Sequence, residues 1–406
     1  MIISGAIICD AAGERQADIR IEKGVVTEIG TNLSGDEIVA AQGCYVLPGL
    51  VDTNVRLKDG QLNRTNLEKL SRRALRGGVS TVVLASDTSP RIDNEITLEF
   101  VQQHRYLPEG ATIESTVSAL MDSGALSNIA IMLKKGSVAV HASALDDYNL
   151  ITRIAQYLKM SGKPFFYKAE DKSLFESGVM ADGAVASHLG LPGISEMSEV
   201  VHVASMIEVA RHFGIRIVFK SVTEPRTIQL ITAAAREGVA VEAEVSLHHL
   251  IKNDAACMGF DTDAKINPPL VSENKRLALI ESLQKGEIAS LTSLHQPNSD
   301  VHKDITFYDA AFGTTAIEEY LPLAYTYLVK GGIIGMQRLV ELASLAPAAQ
   351  AGMESGKIEV GKTTDLIVFD PSGATAVPHH HSLYKNETLA GKVVMAICRG
   401  ETIRFV

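Results

Sequence analysis

Two hydrophobic periods alternate along the chain and divide it into three stretches. From residue 1 to about 46, apolar and polar residues alternate in short runs broken by tight turns, which predicts strands over 2–9, 17–22, 25–29 and 37–40. The Glu22-Lys23-Gly24 turn joins two such runs and predicts a hairpin. The C-terminal stretch has the same texture, with strands expected over 365–369, 392–398 and 402–406. Neither end is long enough to close a sheet alone. The economical arrangement is one small β-sandwich domain assembled from both termini, residues 1–46 and 350–406, interrupted by the middle of the chain.

The middle, 47–349, alternates apolar runs with amphipathic stretches. Helical periodicity predicts helices over 67–76, 95–104, 147–159 and 226–237. Strands are expected over 81–85, 112–117, 138–141, 164–168, 215–219, 239–245 and 288–292. Runs such as STVVLA and IRIVF are apolar on both faces, as buried parallel strands require. About eight such units point to an α/β fold of the (β/α)8 barrel type, whose active site lies at the C-terminal ends of the strands. A doubly wound open sheet is the alternative, but it would advertise a glycine-rich phosphate loop, and neither GxGxxG nor GxxxxGK[ST] occurs. There is no internal repeat and no low-complexity tract. His379-His380-His381 follows Pro378 inside the chain and reads as an exposed loop with incidental metal affinity, with a physiological metal site as the alternative.

Composition narrows the function classes. The 406 residues fit one large domain plus a smaller one, and 46% apolar with 21% charged residues is ordinary for a globular protein. A formal charge of −10 argues against nucleic-acid binding. No apolar run is long enough to span a bilayer, and the N-terminus lacks the basic region of a secretory signal. Four scattered cysteines without a CxxC pair fit reduced thiols, so a cytoplasmic location is expected.

The stretch with most chemical character is VLPGLVDTNVRLK, residues 46–58. After the Pro48-Gly49 turn, Asp52, Asn54, Arg56 and Lys58 fall at alternate positions, so one strand face should carry polar groups into a site. Further marks follow in order: Gly77-Gly78, Thr88-Ser89-Pro90, Ala169-Glu170-Asp171, Leu189-Gly190-Leu191, Glu244-Val245 with His248-His249-Leu250, Asn267-Pro268-Pro269-Leu270, and Gly356-Lys357-Ile358 through Asp365-Leu366. Each is weak alone, but the ordered set is specific. With it, nearly the whole chain resembles the amidohydrolase superfamily and, within it, the dihydroorotases.

The resemblance implies hydrolysis or closure of a cyclic amide with one or two zinc ions, which polarise the carbonyl and generate hydroxide. At the positions where the family holds its ligands, this chain has Asn54, Arg56, Lys135, Lys168, Ser221 (Lys220 if the register slips by one) and Leu294. Arginine has no lone pair to give, and no leucine acts as a general base. Neither catalytic residues nor metal, and hence no cofactor, are therefore expected. Lys58, Asp87, Asn267 and His295 stand at substrate-pocket positions, where Asp87 would repel a substrate carboxylate. Arg56, Lys135 and Lys168 are expected to replace the metal charge and to pair with Asp52, Asp87, Glu170 and Glu244. His248-His249 reads as a pair that packs or supports a neighbouring ligand, Asp146-Asp147 as a helix start, and His104, His202 and His212 as surface or satisfied helix residues. No nucleophile elbow is visible. Some members of this family are inactive homologues that serve as structural partners of aspartate carbamoyltransferase. The resemblance thus implies a non-catalytic, homo-oligomeric scaffold of pyrimidine biosynthesis. The alternatives are an active cyclic-amide hydrolase with unorthodox ligands and a small-anion binder using a basic barrel mouth.

Overall fold

The computed structural model describes every residue except Glu176, Thr364 and Val406, so the last residue of the final expected strand lies outside the described residues. The middle of the chain is a (β/α)8 barrel. Its strands are β1 (Leu50–Val55), β2 (Val79–Leu84), β3 (Thr112–Ser115, continued by Val117–Ser118), β4 (Val140–Ser143), β5 (Phe165–Lys168), β6 (Ile217–Phe219), β7 (Val241–Ser246) and β8 (Ser290–Thr292). Each pairs in parallel with the next in chain order from β1 to β8. Between β8 and β1 the ring is closed by Arg56 N donating to His295 O (2.8 Å) and Thr292 Oγ1 donating to Asp52 (2.6 Å).

Local chemistry sets the helices. Asn63 caps Arg64–Arg76, whose Leu67, Leu70, Ala74 and Leu75 fall on one buried face. Burying each leucine contributes roughly 2 kcal/mol. Asn94 caps Glu95–Gln103, and Asp147 caps Tyr148–Ser161, as the Asp146-Asp147 pair predicts. No helix among the described residues is long and apolar enough to cross a membrane.

The termini supply the second unit. Strands Ile2–Asp10, Gly13–Glu22, Val25–Gly30, Ile38–Ala40 and Tyr45–Pro48 join Leu366–Ala376, Thr388–Cys398 and Glu401–Arg404 in one eight-stranded sheet. The sheet curls over its own apolar core: Ile19 and Val26 near one edge share a cluster with Met395 and Ile397 near the other. The curl brings the hairpin turns at Gly24 and Gly400 together, where a Cβ on Gly24 would lie 2.7 Å from the Gly400 Cα. Sheet and barrel meet at Gly49, which donates to Asp365 O (2.7 Å) and accepts from Ser344 Oγ (2.7 Å). A Cβ there would sit 2.1 Å from Ser80 Oγ, so only glycine passes. Residues 377–387, between the two long C-terminal strands, leave the sheet and pack on the barrel, burying Tyr384 against His248.

Candidate functional site

The polar residues of 52–56 gather at the C-terminal end of the barrel, but not by simple alternation. The β1–β2 pairing shifts register between Asp52 and Val55. This irregularity lets Thr53 and Asn54 both face the barrel interior. Thr53 Oγ1 donates to Glu244 Oε2 (2.9 Å), and Asn54 Nδ2 donates to Glu244 Oε1 (2.9 Å) and Ser221 Oγ (2.8 Å). Lys220 Nζ donates to Thr53 Oγ1 (2.8 Å) and to Glu244, and it lies 4.3 Å from the centre of the Phe166 ring. Lys220 and Glu244 are both buried, so each neutralises a charge that water does not reach. Burial lowers the Lys220 pKa, against the pull of Glu244.

Two further pairs complete the mouth. Arg56 Nη2 lies 2.9 Å from Asp87 Oδ2, and its Nη1 donates to Asn54 Oδ1 (3.1 Å). Burial would raise the Asp87 carboxyl, but Arg56 and the neighbouring basic groups together outweigh it and hold the pKa at about 2. Lys168 Nζ lies 2.9 Å from Glu170 Oε2, which also accepts from Asn267 Nδ2 (3.2 Å). Burial lowers the Lys168 pKa, while at Glu170 burial is outweighed by Lys168 together with Asn267 and Lys172, which hold it below the usual carboxylate range.

Asp52 is the exception among the four acids. No cation pairs with it among the described residues. It accepts instead from Thr292 Oγ1, Ser293 N and Oγ, and Asn54 N, and burial still pushes its carboxyl upward.

The structure corrects the expected third cation. Lys135 ends the helix Ile129–Lys134 that leads into the start of β4, at the end of the barrel opposite the mouth, and pairs with Glu99 on the surface. At the mouth, β4 presents His141 instead, its Nδ1 3.1 Å from Ser86 Oγ and its pKa lowered to about 4 by burial. The third cation is Lys220, beside Ser221. Lys58 is exposed in the turn Lys58–Gly60.

Leu294 is buried with Met180, Ile266 and Phe307, all from loops that leave the C-terminal ends of β5, β7 and β8. Its backbone is left-handed (φ 46°), as are Ser221 after β6 (φ 53°) and Ala144 after β4 (φ 50°). Non-glycine residues adopt this conformation at a cost of order 1 kcal/mol each, and such strain clusters at functional sites. His295 Nδ1 accepts from Ala316 N (3.1 Å) and Ile317 N (3.3 Å), and burial keeps the ring neutral. His248 and His249 are buried and bonded to Tyr384 and Ser246, a packing role.

These donors do not fit a pair of divalent ions. Zinc needs free imidazole or carboxylate lone pairs. The mouth instead offers a guanidinium, two ammonium groups, a serine hydroxyl and a leucine, and the carboxylates of Asp87, Glu170 and Glu244 already hold cations; this leaves the His141 imidazole, engaged with Ser86, and the Asp52 carboxylate, engaged with Thr292 and Ser293, too few ligands for two ions. No step through a metal follows from this arrangement. The arrangement can neutralise, seal and hold the strand ends in register.

Beside the mouth lies a cavity of about 200 Å³ lined by Arg56, Lys58, Lys69, Arg73, His295 and the histidine triplet. That triplet is not simply an exposed loop. His379 Nε2 lies 2.8 Å from Glu318, His381 is buried, and only His380 points out. Sequence periodicity could not find this contact, because its partners lie far away in the chain.

Comparison with known proteins agrees with the fold. The sequence profile of the Amidohydrolase family matches residues 45–403. The chain is 32% identical over 383 residues to a dihydroorotase of Caldanaerobacter subterraneus subsp. tengcongensis, covering 91% of this chain and 88% of that one. It is 31% identical over 420 residues to a dihydroorotase of Clostridioides difficile, covering 99% of both. The L-hydantoinase (dihydropyrimidinase) of Arthrobacter aurescens superposes with a TM-score of 0.86 at 21% identity, covering 99% of this chain and 95% of that one. The dihydropyrimidinase of Brevibacillus agri NCHU1002 superposes with a TM-score of 0.85 at 19% identity, covering 99% and 94%. A barrel whose strand ends carry these motifs in this order, joined to a sheet from both termini, belongs to the amidohydrolase family, and the chain is a dihydroorotase-like member of it.

Proposed function

We infer that this chain is a cytoplasmic dihydroorotase homologue that has lost metal-dependent hydrolysis. It serves pyrimidine biosynthesis as a homo-oligomeric structural partner of another enzyme, with aspartate carbamoyltransferase the first candidate. One observation carries the loss of catalysis: Arg56, Lys168 and Lys220 stand at the strand ends in place of ligands, each already matched by a carboxylate. Leu294 supplies no base at the end of β8, and Asp87 meets a substrate carboxylate with like charge. The partner role rests on the family resemblance together with this sealed mouth.

The test is metal content of tag-free protein, alongside dihydroorotate hydrolysis and carbamoyl-aspartate cyclisation with added zinc. Turnover above the uncatalysed rate, lost on chelation, would establish an active hydrolase with unorthodox ligands instead. No turnover, with aspartate carbamoyltransferase retained on the immobilised chain, is the expected result.

A second reading has one observation of its own. Lys58 and Lys69 line the cavity beside the mouth without an acidic partner among the described residues. A small dianion could sit there. Saturable thermal stabilisation by inorganic phosphate or succinate, abolished by Lys58→Ala, would favour it.

A further inference from the structure

The histidine triplet divides its labour. His379 turns to Glu318, whereas His380 and His381 turn to the short helix Asp300–Lys303 that follows β8. His381 is held between carboxylates on both ring nitrogens. Its Nδ1 lies 3.1 Å from Asp263 Oδ1, and its Nε2 lies 3.2 Å from Asp300 Oδ1 and 3.9 Å from Asp304 Oδ1. A neutral imidazole carries one N–H, so it can donate to only one side. The other nitrogen would meet a carboxylate lone pair to lone pair, unless the ring is protonated or a cation lies between them.

The two sides are not equivalent. Asp263 is buried and already shared with Lys385 (2.8 Å), which fixes it as a steady acceptor for the Nδ1–H. A carboxylate that orients one ring nitrogen leaves the other as a lone-pair donor, an arrangement typical of metal-bound histidine. On the Nε2 side, Asp300 and Asp304 have no lysine or arginine partner among the described residues. His380 Nε2 adds a second imidazole, 3.5 Å from the same Asp300 oxygen. Ligands about 2.1 Å from a tetrahedral ion sit roughly 3.4 Å apart. The separations of 3.2 and 3.5 Å about Asp300 Oδ1 match that spacing. Asp300, His380 and His381 are also the only group of three such side chains gathered this closely among the described residues.

We propose that His380 Nε2, His381 Nε2 and the Asp300 carboxylate bind one divalent transition-metal ion of the zinc class, with Asp304 or water completing the shell. The ligand set of two imidazoles and one carboxylate suits zinc, cobalt or nickel better than calcium or magnesium, which take oxygen ligands. The ion ties the loop 377–387 of the sheet unit to the barrel at the lip of the cavity that Arg56 and Lys58 line. It is thus a clasp between the two parts of the fold, away from the strand-end positions of the mouth.

The test uses the full tag-free chain after dialysis against chelator, titrated with Zn²⁺ by calorimetry and with Co²⁺ by visible absorption. One equivalent of each is expected, with Co²⁺ d–d bands of a low-coordinate site and a rise in Tm on Zn²⁺ addition. His380→Ala and Asp300→Asn, both at exposed positions that leave the fold intact, should each weaken Zn²⁺ at least ~10-fold. Asp263→Asn should weaken it by ~10–100-fold without removing a ligand. No saturable Zn²⁺ binding overturns the proposal. Stoichiometric zinc that is unchanged in both His380→Ala and Asp300→Asn overturns it equally, because the ion would then sit elsewhere.

Discussion

The barrel mouth and the histidine rim are built from the same kinds of charge in opposite proportion. At the mouth, cations are brought to acids until three of the four carboxylates are matched side chain to side chain. At the rim, imidazoles and carboxylates crowd together, and the one lysine paired there among the described residues, Lys385, reaches the Asp263 side and not Asp300 or Asp304. The mouth is a closed electrostatic account, whereas the rim leaves negative charge and lone pairs facing one another. Closure of this kind holds strand ends together and leaves nothing for a ligand to do. An open balance invites a cation. The difference teaches that the capacity for metal chemistry follows from unmatched lone pairs rather than from barrel architecture.

The sharpest way to break the comparison is to open the mouth. Lys220→Met leaves Glu244 buried with only Thr53 and Asn54 as donors. Breaking a buried pair costs about 5 kcal/mol, near the top of the usual range because neither partner reaches water. Urea denaturation should show this loss with an unchanged m-value, and Lys220→Met/Glu244→Gln should recover most of it. A single-variant loss below ~1 kcal/mol would mean that the pair does not govern the mouth. Next in size is Leu294→Asp, which restores an acid without a cation to meet it. It removes apolar packing and buries an unpaired carboxyl, at a cost of about 4 kcal/mol and with no gain in hydrolysis. At the rim, His380→Ala in metal-free protein should change stability by less than ~0.5 kcal/mol, since His380 is exposed.

How much of this was legible in the sequence depends on the range of the interaction. Apolar runs such as STVVLA became β2, and the capping residues Asn63, Asn94 and Asp147 began helices, because both signals are local. The Glu22–Gly24 turn likewise forms its hairpin. The mouth was legible in kind but not in register. Lys135 follows the helix Ile129–Lys134, and that helix end separates it from the strand that reaches the mouth. The register shift in β1 is a tertiary event that turns Thr53 inward, and no periodicity announces it. Of the rim only the histidine triplet was legible, since His381 meets Asp263 from about 120 and Asp300 from more than eighty residues away.

A further measurement sharpens the contrast where the two regions approach each other. Glu319 is buried beneath His379, and its pKa is pushed up to about 8 by burial and by neighbouring Glu318. The folded state therefore holds a proton that the unfolded chain releases near its ordinary value of 4.5. Stability from this group is fully present at low pH and falls as pH rises from about 4.5 to 8. Between pH 5 and pH 8 the loss should be roughly 3 kcal/mol, and Glu319→Gln should abolish that slope. An unchanged slope would place the buried proton on another group.

A smaller effect than that of Glu319 tests the outermost pair of the mouth. Asp87 has the opposite sign to Glu319: its carboxyl is depressed to about 2 from 3.8, because Arg56 and the neighbouring basic groups together outweigh burial. Its contribution is present above pH 4 and is lost as pH falls toward 2. Asp87 is partly exposed, so solvent screening limits the pair to about 1 kcal/mol at neutral pH. Asp87→Asn should therefore cost about that much at pH 6, and variant and parent should converge near pH 2. Raising salt should shrink the difference at pH 6 while leaving the Lys220→Met loss unchanged, because only the outer pair meets the ionic atmosphere. Equal salt dependence for both would mean that water reaches Glu244, and the mouth would then be open to ligands after all.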